Sequence, residues 1–203
     1  MPGRDAVAIP PEVEEKKMTR KLMMALAASL LTLALLPQVA LAEEKVCRGT
    51  IGARTLDNVK VPQGASCTLR GTKVKGTIKV NKNARLEAID VNVIGNVQGE
   101  GARNVIVRKT SRVGGSVQVV QGKKAKVTNS RVNGDILYDD QSARVVALRN
   151  RVGGNVQAFQ NTGGTKIAGN VIDGNLQCKE NHPAPTGGNN RVGGNKEDQC
   201  KSL

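Results

Sequence analysis

A short motif returns along this chain with a nearly constant spacing. Its fullest copy, Arg-Val-Gly-Gly-Asn-Val-Gln, occupies residues 151–157. The second glycine marks each copy and falls at Gly76, Gly95, Gly115, Gly134, Gly154, Gly174 and Gly194. Successive copies are 19 or 20 residues apart. A period this regular indicates a solenoid, in which each repeat stacks on the one before it.

Apolar residues flank the marker glycine at a spacing of two. Val152 lies two positions before Gly154 and Val156 two positions after it, and Val, Ile or Leu fill these positions in the other copies, except that Lys196 ends the column. A second apolar pair, such as Val145 and Ala147, precedes the glycine by nine and seven residues. Alternation of this kind is typical of strands with one buried face, so we predict two inward-facing strands per turn.

A polar residue follows the glycine in most copies. The column contains Asn96, Ser116, Asp135, Asn155, Asn175 and Asn195. The segment from Asn150 to Asn155 resembles the Asn-x-Ile-x-x-Asn rung of parallel β-helix proteins, and the resemblance covers about residues 57–196. It implies ladders of Asn or Ser at the turns. Segments 61–69 and 174–179 resemble the ends of uncharacterised exported bacterial proteins of this type, which bring no activity to transfer.

The fold we predict is therefore all-β, a single-stranded parallel β-helix of about seven rungs of about 20 residues. Because the second strand column recurs at 18 to 23 residues, a strict left-handed hexapeptide helix fits poorly, and we favour a right-handed coil. Polar segments at both ends predict caps that protect the strand edges, and hence a monomer.

Four cysteines fall into two pairs, Cys47 with Cys67 and Cys178 with Cys200, at separations of 20 and 22 residues. Residues one repeat apart lie on neighbouring strands about 4.8 Å apart, close to the Cα separation of a disulfide. Repeat geometry therefore selects these pairings, with one disulfide capping each end. The chain has no Cys-x-x-Cys and a single histidine, His182, so we predict neither a metal site nor a cofactor.

The first 42 residues have the pattern of a secretory signal. Arg20 and Lys21 precede an apolar run at 22–36, and small residues follow at 40 and 42. This pattern predicts cleavage before Glu43 and export to the periplasm or the extracellular space. The apolar run is shorter than the roughly 20 residues that span a bilayer, so we expect no transmembrane anchor in the mature form.

Met18 is a natural start for such a signal, which makes residues 1–17 a candidate mis-called start. The predicted organisation is a signal peptide at 18–42, an N-terminal cap at 43–56, the solenoid at 57–196 and a C-terminal cap including the last rung at 178–203.

The charge balance favours an anionic partner. Residues 1–42 hold five of the 31 Lys and Arg and four of the 17 Asp and Glu, which leaves a net charge of +13 on residues 43–203. Acidic polysaccharide or another envelope polyanion would suit such a surface. Tyr138 and Phe159 are the only aromatic residues, so a base-stacking platform for nucleic acid is disfavoured.

A column of arginines stands three residues before the marker glycine. Its members are Arg112, Arg131, Arg151 and Arg191, with Val171 interrupting. Stacked about 5 Å apart, neighbouring arginines repel by roughly 1 kcal/mol per pair in water, and a bound anionic polymer would turn this penalty into attraction. We predict these four as anion-binding residues. The other interpretation is that exposed positions of duplicated repeats simply recur.

Two further columns are visible. A looser basic column contains Arg85, Arg103, Lys126, Arg144 and Lys166, and an amide column contains Gln98, Gln118, Gln157 and Gln177. If the strand runs straight through the glycine, Arg, Asn and Gln share one outward face. If the chain turns there, the Asn column points inward and only Arg and Gln remain outside.

No catalytic residue is predicted. Asp135, Asp139 and Asp140 with Arg144 form an acidic cluster near a base, but their spacing matches no catalytic pattern, and His182 has no partner suggested by spacing. The predicted function is a non-catalytic, exported structural or binding module. A polysaccharide lyase or hydrolase of the β-helix type and a self-assembling envelope filament remain as alternatives.

Overall fold

The computed structural model of this protein describes residues 43–203. The predicted signal peptide at 18–42 and the start region at 1–17 lie outside the described residues. Within 43–203, no helix is long and apolar enough to cross a membrane.

The described chain coils through about eight turns, and each turn adds one strand to each of three parallel sheets. Sheet A contains β1 (Glu44–Val46), β4 (Asn58–Val61), β7 (Ile78–Val80), β10 (Val97–Glu100), β13 (Val117–Val120), β16 (Ile136–Asp139), β19 (Val156–Phe159), β22 (Leu176–Lys179) and β25 (Lys196–Asp198). Sheet B contains β2 (Gly49–Ile51), β5 (Ser66–Arg70), β8 (Arg85–Ile89), β11 (Asn104–Arg108), β14 (Lys124–Thr128), β17 (Val145–Leu148), β20 (Thr165–Ala168) and β23 (Thr186–Gly188). Sheet C contains β3 (Thr55–Leu56), β6 (Lys73–Val74), β9 (Asn92–Val93), β12 (Arg112–Val113), β15 (Arg131–Val132), β18 (Arg151–Val152), β21 (Val171–Ile172) and β24 (Arg191–Val192).

This architecture confirms the predicted parallel β-solenoid and refines it in two ways. Each turn has three strands rather than two, because the glycine motif is a corner between sheets C and A. Residues 44–56, for which we predicted an N-terminal cap, form strands β1 to β3 and pair with the second turn. These strands form an additional first turn, which has no glycine motif and was therefore not included in the predicted seven rungs. The hand of the coil stays a prediction.

All three sheets direct apolar side chains into a shared core. In a typical turn, Val145 and Ala147 from sheet B, Val152 from sheet C, and Val156 and Ala158 from sheet A are all fully buried. Burying a Val side chain stabilises a fold by about 1.5–3 kcal/mol, so the apolar positions of the repeat account for much of its stability.

The glycine motif turns the chain because a polar side chain fills the corner. Asn155 donates its backbone N–H to Asp135 Oδ1 of the preceding turn at 2.6 Å. A Cβ on Gly154 would lie 2.2 Å from that same oxygen, so only glycine leaves room for the bond. The ladder passes through Asn58, Thr77, Asn96, Ser116, Asp135, Asn155 and Asn175, and Asn195 donates its last bond. The chain therefore turns at the glycine, and the polar column stabilises the corner.

The other two corners carry buried amide ladders. Asn170 is typical: its Oδ1 accepts the backbone N–H of Asn150 at 2.9 Å, and its Nδ2 donates to the carbonyl oxygen of Ala147 at 2.9 Å. The corner between sheets B and C contains Asn150, Asn170 and Asn190, and the corner between sheets A and B contains Gln141, Asn161 and Asn181, ending at Gln199. These ladders satisfy backbone groups that would otherwise be buried without partners.

At the N-terminal end the predicted disulfide joins Cys47 to Cys67, with the Cα atoms 5.5 Å apart. The two residues are not register partners, because Cys67 lies opposite Gly49. The bridge therefore crosses from a corner of the first turn to a strand of the second. Val46 in the first strand is 50% exposed.

At the C-terminal end the predicted disulfide joins Cys178 to Cys200, with the Cα atoms 5.2 Å apart. Lys196 lies opposite Leu176 and ends the apolar column of sheet A, as the sequence indicates. The final Leu203 is buried, so the tail after the last strand folds back over the core.

Candidate anion-binding face

The arginine column lies on sheet C, whose strands have two residues each. The first residue points outward and the second inward, so every turn presents a single side chain on this face. Arg112, Arg131 and Arg151 are register partners in three consecutive turns, and all three are exposed. Adjacent strands are about 4.8 Å apart, which sets the spacing of the three Cα atoms.

The column has a gap and an extension. Val171 lies opposite both Arg151 and Arg191, so Arg191 is two turns away from the main group. Toward the N-terminal end, Asn92 is the register partner of Arg112, and Lys73 is the register partner of Asn92. Lys73 was missed because only arginines were counted as members of the column. Lys73 lies three residues before Gly76, just as Arg151 lies three residues before Gly154, and this shared position would have identified it.

Within the described part of the chain, the four arginines have no acidic partner. The salt bridges within residues 43–203 leave all of them out. Arg131 makes one hydrogen bond, in which its Nε donates to Asn133 Oδ1 at 3.3 Å. By contrast, Lys75 at the neighbouring corner pairs with Asp57 at 3.0 Å, and the hydrogen bond from Lys75 and its charge hold the pKa of Asp57 below its ordinary value. The four arginines therefore carry unneutralised charge, as do most other Lys and Arg residues of 43–203, since only Lys60, Lys75, Arg108 and Lys179 form salt bridges there.

A shallow groove of about 350 Å³ runs beside the column. Arg112 and Arg131 form one side, and Ile94, which is 55% exposed, contributes an apolar surface. Gly114 also lines the groove and packs closely on the preceding turn, since a Cβ there would lie 2.3 Å from the carbonyl oxygen of Ile94. An anionic chain resting here would meet two guanidinium groups and one apolar side chain.

The looser basic column does not form in the structure. Arg85 lies opposite Asn104, whereas Lys126 lies opposite Val146 in a different row of sheet B. Arg103 and Arg144 belong to the segments before their strands. In the sequence these five residues are 18 to 23 residues apart and stand 8 to 12 residues before their glycines, so they do not occupy one position of the repeat.

The amide column lies on the outer face of sheet A. Gln98 pairs in register with Gln118, and Gln157 pairs with Gln177. Leu137 separates the two groups. Sheet A is a different face from sheet C, so the amides and the arginines do not form one site.

The acidic residues near bases do not converge. Asp135 belongs to the ladder between sheets C and A, whereas Asp139 ends a sheet A strand and Asp140 follows it with a φ of 52°. His182 is exposed in the last turns. Within residues 43–203, no group of three or more His, Cys, Asp or Glu is arranged to hold a metal ion.

Together, the coil of parallel strands and the terminal disulfides define the class of this protein as a disulfide-bonded β-solenoid. Comparisons with protein-family models, curated proteins and solved structures found no match. The features that bear on function are therefore the exposed side chains on the outer faces of sheets C and A.

Proposed function

We propose that this protein is a non-catalytic structural or binding module of the cell envelope or the extracellular space, and that its arginine column contacts an anionic polymer. The observation that supports this is the run of Arg112, Arg131 and Arg151 in consecutive turns without an acidic partner. Neighbouring guanidinium groups repel by roughly 1 kcal/mol per pair in water. A polymer with regularly spaced carboxylate, sulfate or phosphate groups would relieve this repulsion.

The two disulfides support the proposed location. Disulfide bonds form and persist in oxidising compartments and are rare in the reducing cytosol. Both bridges join buried cysteines in adjacent turns, and residues 43–203 contain no free cysteine. We therefore propose that the protein acts after export, where acidic polysaccharides and other envelope polyanions are present.

A charge-matched pair of variants tests the proposal. The column variant carries Arg112→Gln, Arg131→Gln, Arg151→Gln and Arg191→Gln. The control variant carries Arg85→Gln, Arg103→Gln, Lys123→Gln and Lys124→Gln, which removes the same charge from exposed positions elsewhere. Binding of the disulfide-bonded protein to polygalacturonate, heparin and neutral dextran is measured at ionic strengths of about 0.01 M and about 0.15 M, where the screening length is about 30 Å and about 8 Å.

We expect the wild-type protein and the control to bind an acidic polymer, with lower affinity at the higher ionic strength, and neither to bind dextran. Exposed ion pairs contribute about 0.2–1 kcal/mol each, so losing four should weaken binding about four-fold or more. Equal affinities of the column and control variants for every acidic polymer would refute the column as the contact. Release of a shorter polymer product would overturn the non-catalytic assignment.

A further inference from the structure

Sheet A has a groove that is independent of the arginine column. Gly99 points inward in β10, between Val80 and Val119 of the adjacent turns. A Cβ on Gly99 would lie 2.9 Å from Val105 Cγ2 of sheet B. Gly99 also lines a groove in the outer face of sheet A, and this groove has a volume of about 470 Å³.

Two of the polar groups that line this groove are glutamine amides without hydrogen-bond partners in residues 43–203. Gln98 and Gln118 are half-buried, and their side chains make no hydrogen bond with any residue of the described part of the chain. The other half of the column differs, because Gln157 Nε2 donates to Gln177 Oε1 at 2.8 Å and Gln177 Nε2 donates to Glu197 Oε2 at 2.8 Å. Within the amide column, Gln157 and Gln177 are therefore hydrogen-bonded, whereas Gln98 and Gln118 are not, and it is the latter two that line the groove.

The remaining lining is partly charged and partly apolar. Lys79 and Glu100 are exposed at the edges of the groove, and neither forms a salt bridge within residues 43–203. Val120 and Leu137 are half-buried and supply apolar surface on the floor. Lys79, Gln98, Gln118 and Leu137 come from four consecutive turns, so the groove extends for about 14 Å along the coil.

We propose that this groove binds a neutral, hydroxyl-rich oligosaccharide. Each glutamine amide both donates and accepts hydrogen bonds, which suits hydroxyl groups, and the apolar floor suits the C–H faces of sugar rings. Because Lys79 and Glu100 carry opposite charges, the groove suits an uncharged ligand. An extended peptide could not add to the sheet here, because β10 and β13 are paired on both sides.

The test compares two double variants of the same column. Binding of the full chain, with disulfides formed, to neutral cello-, xylo- and chito-oligosaccharides is measured by isothermal titration calorimetry. We expect wild-type protein to bind at least one of them, and Gln98→Ala with Gln118→Ala to weaken that binding about ten-fold or more, since each lost hydrogen bond contributes about 0.5–1.5 kcal/mol. The matched control, Gln157→Ala with Gln177→Ala, lies outside the groove and should bind as the wild-type protein does.

A third variant, Leu137→Arg, places a long cationic side chain in the groove and should abolish binding while leaving the far-ultraviolet circular dichroism unchanged. The affinity of the wild-type protein for the oligosaccharide should be the same at ionic strengths of about 0.01 M and about 0.15 M, since the ligand carries no charge. The proposal is overturned if no oligosaccharide binds, if both double variants lose affinity equally, or if the arginine-column variant loses it. These outcomes are separate from those for the acidic polymers, so either proposal can fail alone.

Discussion

Replacing Asn170 with alanine tests how far the buried ladder stabilises the solenoid. Asn170 is 1% exposed, and its side chain takes part in four hydrogen bonds. Its Oδ1 accepts from the backbone N–H and Nδ2 of Asn150, at 2.9 and 3.0 Å. Its Nδ2 donates to Ala147 O and to Asn190 Oδ1, both at 2.9 Å. The substitution removes all four and leaves the backbone N–H of Asn150 buried without a partner.

The expected loss follows from these contacts. A buried donor left without a partner costs about 1–3 kcal/mol, and the other three hydrogen bonds contribute about 1 kcal/mol each, so Asn170→Ala should lower the free energy of unfolding by about 4–6 kcal/mol. Urea unfolding followed by circular dichroism measures this loss, and hydrogen exchange at the Asn150 amide reports it locally. In the control Asn195→Ala, the exposed side chain makes no hydrogen bond within residues 43–203, and the effect should stay within about 0.5 kcal/mol. A loss below about 1 kcal/mol, with the Asn150 amide still protected, would refute the reasoning.

Two further predictions concern the glycine corner and the single tyrosine. Gly154→Ala should destabilise the fold by about 2–3 kcal/mol in urea unfolding, because its Cβ would lie 2.2 Å from Asp135 Oδ1, whereas Gly52→Ala, with nothing within 4 Å, should change little. Equal effects of the two substitutions would contradict this account. Burial raises the pKa of Tyr138 above its ordinary value of 10.0, and its hydroxyl donates to Val146 O at 2.9 Å. Stability from the neutral phenol is therefore present below pH 10.0 and lost as the pH rises above it, so phenolate absorbance should appear only with unfolding. Titration near pH 10.0 in the folded protein would show that the hydroxyl is accessible.

The parts of the fold that repeat strictly could be predicted from the sequence. Val152 and Val156 recur at fixed distances from the glycine, so their inward position follows from alternation alone. The disulfide pairing was also predicted correctly, although the cysteines are displaced by two residues from their register partners. A spacing of about one repeat was enough to predict the pairing, because the strands of neighbouring turns lie about 4.8 Å apart throughout the core.

Other features could not be predicted, for identifiable physical reasons. Sheet C was missed because its strands have two residues, too few for alternation to be visible. The ladder through Asn161 was missed because the equivalent positions in earlier turns are Ala102 and Gly122, which give no polar column. The groove on sheet A is lined by Gly99 and by side chains from four consecutive turns. One glycine among 23 gives no signal of this kind until the register is known.

The demands of the fold do not account for the arginine column. The column position points outward in each turn. The buried Val or Ile next to it and the glycine corner stabilise the turn. Thr55, Asn92 and Val171 occupy the same position in other turns and pair with their neighbours in the same register. The fold therefore accepts a neutral residue there, and each adjacent arginine pair adds repulsion of roughly 1 kcal/mol. A run of three arginines without an acidic partner keeps that cost unless an anion binds along the face, which is the condition that the charge-matched variants test.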